Sequence, residues 1–265
     1  MKFALVDNNR IEAYKGAKGI CPSCGSELIA KCGPDRINHW AHKKGSSCDP
    51  WWENETEWHR SWKNNYPEGW QEFTLSDNQT GEKHIADILT GHELVIELQH
   101  SHIDLQERIS REIFYKKMLW IVDGTRLKRD YLRFLKGKDS WRSTKTQGCF
   151  IVDFPDECFS SAWINSSVPV IFDFQGTESI EDLNDLRNNL YCLFPVQNNR
   201  EATLAIISRE LFIKKTINGE WFSEQKETQA QNSSPPIQNI NVKGRKEPSH
   251  YYDPKKGRFV KKWRF

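Results

Sequence analysis

Four of the seven cysteines in this 265-residue chain, Cys21, Cys24, Cys32 and Cys48, lie in its first fifth, and the first two form a Cys-x-x-Cys pair. A segment that short buries little apolar surface, so whatever ties these thiols together decides how it folds. No apolar run reaches the roughly 20 residues a membrane helix needs, and the opening MKFALVDNNR lacks the apolar centre of a secretion signal. We therefore expect a cytoplasmic protein with no membrane partner, where reducing conditions favour metal binding by clustered thiols over disulfides. Cys21 and Cys24 supply two thiolates at zinc-knuckle spacing, with Gly25 letting the backbone curl round the ion. The second pair comes from His39, His42 and Cys48. The preferred set for a structural Zn2+ is Cys21, Cys24, His42 and Cys48. His39 is the alternative fourth ligand, because His39-Trp40-Ala41-His42 would present two imidazoles from one helical turn. Four protein ligands leave no open position for catalysis. Cys149, Cys158 and Cys192 stand in apolar surroundings and read as core residues.

The periodicity sets out the rest of the chain. Phe3 to Val6 and Ile11 to Tyr14 are expected to pair as a hairpin through Asp7-Asn8-Asn9. In ENETEWHRSWKNNY, Glu55 and His59 lie four apart, as do Trp58 and Trp62, which is helical spacing. Strand-like runs follow at 70–75, 84–90 and 93–99, the last two joined through Gly91-His92. Asp104 caps a helix with a strongly charged outer face, and 119–124 reads as a buried strand. The order helix, strand, strand, strand, helix, strand makes an α/β sandwich around a mixed sheet. Later expectations are a helix near 130–136, strands at 149–154 and 168–174, a helix at 180–193 and a hairpin at Asn218-Gly219. Residues 223–242, rich in Gln, Asn, Ser and Pro, lack the apolar side chains that would offset the entropy of ordering. The resulting divisions are 1–50 for the hairpin and zinc module, 51–165 for the core, 166–222 for an α/β region of unassigned role, and 223–265 for a linker and tail.

Asp87 falls mid-strand between Ala86 and Ile88, where a charge is costly unless paired or metal-bound. On the next strand Glu97 and Gln99, two residues apart, point to one face. With Glu55 offered from the preceding helix, they form an oxygen-rich pocket suited to Mg2+ or Mn2+. Such a pocket can orient a phosphodiester and activate water against it.

The segments CPSCG, HWAH followed by Cys48, ENETEWH, IADIL and VIELQHS, with Arg111 and Tyr115 beyond them, come in the order of the competence protein CoiA-like family, which this chain resembles over roughly residues 1–124. The resemblance implies a restriction-endonuclease-like mixed sheet flanked by helices, a PD-(D/E)xK nuclease core, a small zinc-ribbon-like N-terminal module and a C-terminal extension. It implies catalytic positions at Glu55, His59, Asp87, Glu97, Gln99 and Arg111, with Tyr115 also matching. Asp87 and Glu97 would be the ligands of Mg2+ (or Mn2+), and Glu55 would support the metal or the water. Gln99 stands where most PD-(D/E)xK enzymes carry lysine, and an amide brings no positive charge. Arg111 or Lys83, which shares the face of Asp87 by strand alternation, are the candidates to supply it. His59 either shuttles a proton or serves as a packing group.

Charge bears on partners. From Lys243 to Phe265 nine Lys or Arg stand against Glu247 and Asp253, giving +7, so residues 1–242 carry 2 − 7 = −5. Tyr251, Tyr252, Phe259, Trp263 and Phe265 among these cations suit stacking on unpaired bases. The expected function is hydrolysis of DNA, in uptake, recombination or defence against foreign DNA, with room for an activating protein partner. The competing reading is a non-cleaving module that binds DNA or protein on the same scaffold.

Overall fold

In the computed structural model, residues 1–43, 48–195 and 201–221 are described in full, together with the backbone of 250–253 and 258–261. The chain begins with a five-stranded antiparallel sheet ordered β2-β1-β3-β4-β5, comprising β1 (Phe3–Val6), β2 (Asn9–Glu12), β3 (Lys18–Ile20), β4 (Glu27–Lys31) and β5 (His39–His42). The expected first hairpin forms, with its second strand two residues early. Asp7 and Asn8 take φ of 49° and 62°, the left-handed pair that a two-residue turn needs and that Asp and Asn tolerate best. Ala4, Leu28 and Trp40 are fully buried in this module, and Ile85 of the next sheet packs against them.

The second sheet is mixed and nine-stranded, in the order β10-β11-β14-β13-β12-β9-β8-β7-β6. Its strands are β6 (Gln71–Ser76), β7 (Lys83–Leu89), β8 (Val95–Gln99), β9 (Met118–Asp123), β10 (Arg142–Ser143), β11 (Cys149–Asp153), β12 (Val170–Asp173), β13 (Asn189–Leu193) and β14 (Glu201–Ser208). β8, β9 and β12 run parallel and the other pairings are antiparallel. The strands of 166–222 thus extend the same sheet as those of 51–165.

The helices are α1 (Glu57–Lys63), α2 (Leu105–Tyr115), α3 (Lys128–Lys138), the short α4 (Pro155–Cys158) and α5 (Ser161–Ile164), and α6 (Arg209–Asn218). They cover both faces, which explains why all six residues of β9 are buried. Met118, Trp120 and Val122 enter one core with Tyr115, Phe134 and Trp163, while Leu119 and Ile121 enter the other with Trp58, Trp62 and Phe212. A mixed sheet between helical layers is the α/β class the element order implied.

Two expectations fail. The 180–193 segment is not a helix: a 3-10 turn at Leu186–Asn188 leads into β13, whose last four residues are buried between β12 and β14. A central strand needs apolar side chains on both faces, and LYCL supplies that at the cost of local preference. Nor does Asn218-Gly219 turn a hairpin. α6 runs to Asn218, and Gly219 at φ 75° ends it with its N–H on Lys215 O. A left-handed residue serves a helix stop as readily as a hairpin, so the dipeptide alone does not distinguish them. The linker at 223–242 lies outside the described residues. Within the separate unit 225–265, β15 (His250–Asp253) pairs antiparallel with β16 (Arg258–Lys261).

Candidate active site

The thiol cluster forms as expected. One ligand atom each from Cys21, Cys24, His42 and Cys48 lies within 4.8 Å of the others, a set that can hold a metal ion. Burial pushes Cys48 up to about 12, with the neighbouring thiols adding to it. Cys24 also feels burial, but hydrogen bonds from Ser26, His42 and Cys21 outweigh it and bring the thiol down to about 6. Three crowded sulfurs cannot all ionise unless a cation joins them. His39 is not a ligand here. Residues 39–42 form β5 rather than a helical turn, so positions three apart point to opposite faces, and His39 Nδ1 instead meets Ile37 O at 2.9 Å.

Glu55 lies just before α1 rather than on it, since Thr56 is the N-cap. The Thr56 hydroxyl accepts from His59 N–H, and the Thr56 N–H reaches His59 Nδ1 at 3.2 Å, closing a capping box. That bond occupies the Nδ1 lone pair, so the hydrogen-bond pattern assigns the proton to Nε2. The helix is pinned from the far side of its core. Trp58 and Trp62, one turn apart, both donate to Asp173 Oδ2, at 2.9 and 3.0 Å, and Arg209 reaches Oδ1 at 2.8 Å. This fixes the angle at which His59 and Lys63 approach β6 and β7.

β7 and β8 pair at Ile88↔Ile96 and Leu89↔Val95. Continuing that register sets Asp87 opposite Glu97, where side chains take over the strand N–H groups. Glu97 Oε1 accepts the Asp87 N–H at 3.2 Å, and Asp87 Oδ2 accepts the Leu98 N–H at 3.0 Å. On the other side, β6 meets β7 at Gln71↔Ile88 and Phe73↔Ala86, skipping Glu72 and Asp87. Glu72 takes φ 47°, a left-handed conformation that costs a non-glycine residue about 1–3 kcal/mol and is characteristic of functional sites. Its carboxylate accepts the N–H of Lys2 at 2.6 Å and of Phe3 at 3.1 Å, so the same residue clamps β1.

Lys63 stands at the junction, 3.0 Å from Asp87 Oδ1, 3.1 Å from Glu72 Oε1 and 3.7 Å from Glu55 Oε1. Burial would lower its ammonium, but Glu55, Asp87 and Glu72 hold it well above the ordinary lysine range. Burial would likewise raise Glu55 and Glu72. Lys63 overrides that, keeping Glu55 below the usual carboxylate range and Glu72 at about 2. Glu97 differs: burial, then repulsion from Asp87, push it up to about 8 although Arg111 stands 2.9 Å away. Arg111 also pairs with Glu107 and donates to Trp51 O, so this buried guanidinium compensates Glu97. Lys83 stays exposed at the start of β7, and Lys63 takes the place beside Asp87. Tyr115 is buried in the core behind α2 with its hydroxyl unpaired.

Gln99 donates to Glu53 Oε2 at 2.9 Å, and Glu53 also receives the Ser101 N–H. Burial would raise Glu53, but His59 and Ser101 keep it below the ordinary range. Gln99 Oε1 and His59 Nε2 are buried without a hydrogen-bond partner. Among the described residues the carboxylates do not close into a second ligand set as tight as the thiol cluster, because Lys63 and Arg111 lie between them. They line a hole of about 50 Å3, whose walls Trp51, Trp52, Glu53, Glu55 and Arg111 are shared with a cleft of about 750 Å3. The opposite bank of that cleft is the loop before β5, including Arg36 and Ile37.

Residues 4–50 match the family model of the competence protein CoiA, N-terminal domain. This N-terminal module is thus similar to that of the competence protein CoiA family. The match spans the five-stranded sheet and its thiol cluster and ends before Glu53. No curated protein and no solved structure shows significant similarity to the chain. The carboxylate site therefore rests on geometry, and three of its members escaped sequence reading. Lys63 had a signal, one helical turn after His59, and Glu53 stood two residues before Glu55. Glu72 had none, because nothing local announces a left-handed glutamate inside a strand.

Proposed function

We propose that the chain is a metal-dependent nuclease of the PD-(D/E)xK type with a restriction-endonuclease-like core, hydrolysing phosphodiester bonds of DNA. The observation that carries this is Asp87 facing Glu97 where two strands splay, with Lys63 against Asp87, in a small hole that shares Glu53, Glu55 and Arg111 with an open cleft. Asp49, Glu53, Glu55, Glu72, Asp87 and Glu97 outnumber Lys63, Arg111 and the N-terminal ammonium of Met1 around the small hole, an excess of carboxyl groups that suits Mg2+ or Mn2+. Asp87 and Glu97 would hold the ion, and the unpaired Gln99 Oε1 and His59 Nε2 would find partners in its hydration. Such an ion supplies charge neutralisation at the phosphate and activation of water. Lys63, 3.0 Å from Asp87 Oδ1, brings the positive charge that Gln99 lacks. His59, with Nδ1 accepting from Thr56 N–H, can donate a hydrogen bond from Nε2 to a phosphate or water oxygen but cannot accept a proton there in this tautomer. The ion of the N-terminal module is proposed to be structural Zn2+, since four protein ligands close its shell.

DNA is the proposed partner, with the +7 segment 243–265 assisting; its side chains lie outside the described residues. The family's name points to competence, that is to DNA uptake or recombination. Among the described residues no helix is long and apolar enough to cross a membrane.

The test is cleavage of plasmid, single-stranded DNA and RNA with Mg2+ or Mn2+. Asp87→Asn and Glu97→Gln are expected to abolish cleavage with the fold retained. Gln99→Ala slows it less, and Gln99→Lys preserves or raises it. If the wild type cuts none of these while both carboxylate variants bind DNA normally, the chain is a binding module on a nuclease scaffold.

A further inference from the structure

A separate cavity of about 210 Å3 opens off the cleft, sharing His100, Ser101 and His102 with it. It lies where β8, β9 and β12 end, beyond Gln99, Asp123 and Asp173, and these three strands are mutually parallel. Open α/β sheets hold ligands outside the carboxyl ends of their parallel strands, because the loops diverge there. Its floor is apolar and aromatic, formed by Val122, Trp163, Phe172 and Phe174. Its rim is polar. His100 Nδ1 meets the buried Asp123 carboxylate at 2.7 Å, which fixes the ring, and Arg126 and Arg129 are exposed on the loop and first turn of α3.

Resting on the nuclease reading, we propose that this cavity is a subsite for one unstacked nucleobase of a single-stranded nucleic acid, beside the phosphodiester held in the cleft. A nucleobase has flat apolar faces and a hydrogen-bonding edge, which the floor and the rim answer in turn. Arg126 and Arg129 take the flanking phosphates. The cavity has room for one ring system and none for a base pair, so duplex DNA engages only where a strand is frayed or unpaired.

The test is fluorescence anisotropy of the full chain, without added divalent cation, against a single-stranded DNA 12-mer and the blunt duplex of the same sequence. The single strand is expected to bind about tenfold or more tighter, in line with ~1–3 kcal/mol of stacking per base. Ser161→Trp, which places an indole in the cavity mouth from an exposed position, removes that preference and leaves duplex affinity unchanged. The double variant Arg126→Ala/Arg129→Ala, on exposed side chains that the fold does not need, lowers the salt slope for the single strand by about 1.4, from two lost phosphate contacts. Equal affinity for the two substrates, or a preference that survives Ser161→Trp together with an unchanged salt slope, overturns the proposal. Single-strand binding without any cleavage defeats the nuclease reading and leaves the base subsite standing, whereas cleavage with no strand preference does the reverse.

Discussion

The Lys63 ammonium lies 3.0 Å from Asp87 and 3.1 Å from Glu72, so one cation from α1 joins two carboxylates at the very positions where strand pairing between β6 and β7 skips a step. Backbone hydrogen bonds have been exchanged there for a buried charge network, which makes the site both a structural joint and the candidate centre of chemistry.

Lys63→Met therefore leaves the buried Glu72 carboxylate and the half-buried Asp87 without their shared counter-ion, while Glu55 keeps Arg60. Removing one partner of a buried pair costs about 3–5 kcal/mol, and a comparable loss is expected by chemical denaturation. Lys63→Arg should recover part of the stability. A Lys63→Met protein as stable as wild type would show that the network is dispensable.

Glu97 gives the fold a definite pH dependence. Its native value of about 8 lies above the ordinary 4.5, so between those limits the folded state keeps a proton that the unfolded chain has released. Stability then falls as pH rises from about 5 to about 8 and levels off above. Glu72, held at about 2, acts oppositely, its contribution fading only as pH falls below the ordinary carboxylate range. Thermal melts of wild type and Glu97→Gln without added divalent cation should show the wild type losing ground to the variant as pH rises. A gap that does not change with pH would refute this.

About one zinc per chain is expected by elemental analysis. Cys21→Ser should lose it and unfold the module, whereas His39→Ala should keep it, since His39 is tied to Ile37 O and stands apart from the cluster. Metal content that drops equally in both variants would contradict the ligand set.

Asp173→Ala leaves two indole N–H groups and Arg209 without their acceptor. The expected loss is again about 3–5 kcal/mol, with cleavage falling further than stability explains because α1 no longer holds Lys63 in place. Full activity in a stably folded Asp173→Ala protein would show that α1 keeps its position without this anchor.

The sequence by itself determined what is local or periodic. Cys-x-x-Cys with His42 and Cys48 specified a cluster able to hold a metal ion, because ligand chemistry tolerates little variation in spacing. The strand-like runs at 84–90 and 93–99 and the helical spacing from Leu105 onward specified the elements that carry Asp87, Glu97 and Arg111. Tertiary structure alone decided the rest. The run at 189–193 became a strand because a central sheet position buries both its faces. His39 left the metal set because β5 is extended, Lys63 replaced Lys83 because two tryptophans hung α1 from Asp173, and Glu72, in a left-handed conformation, turned inward to meet a buried cation. Each of these turns on partners outside the local segment, Asp173 for α1 being the most distant, and local periodicity holds no record of such partners.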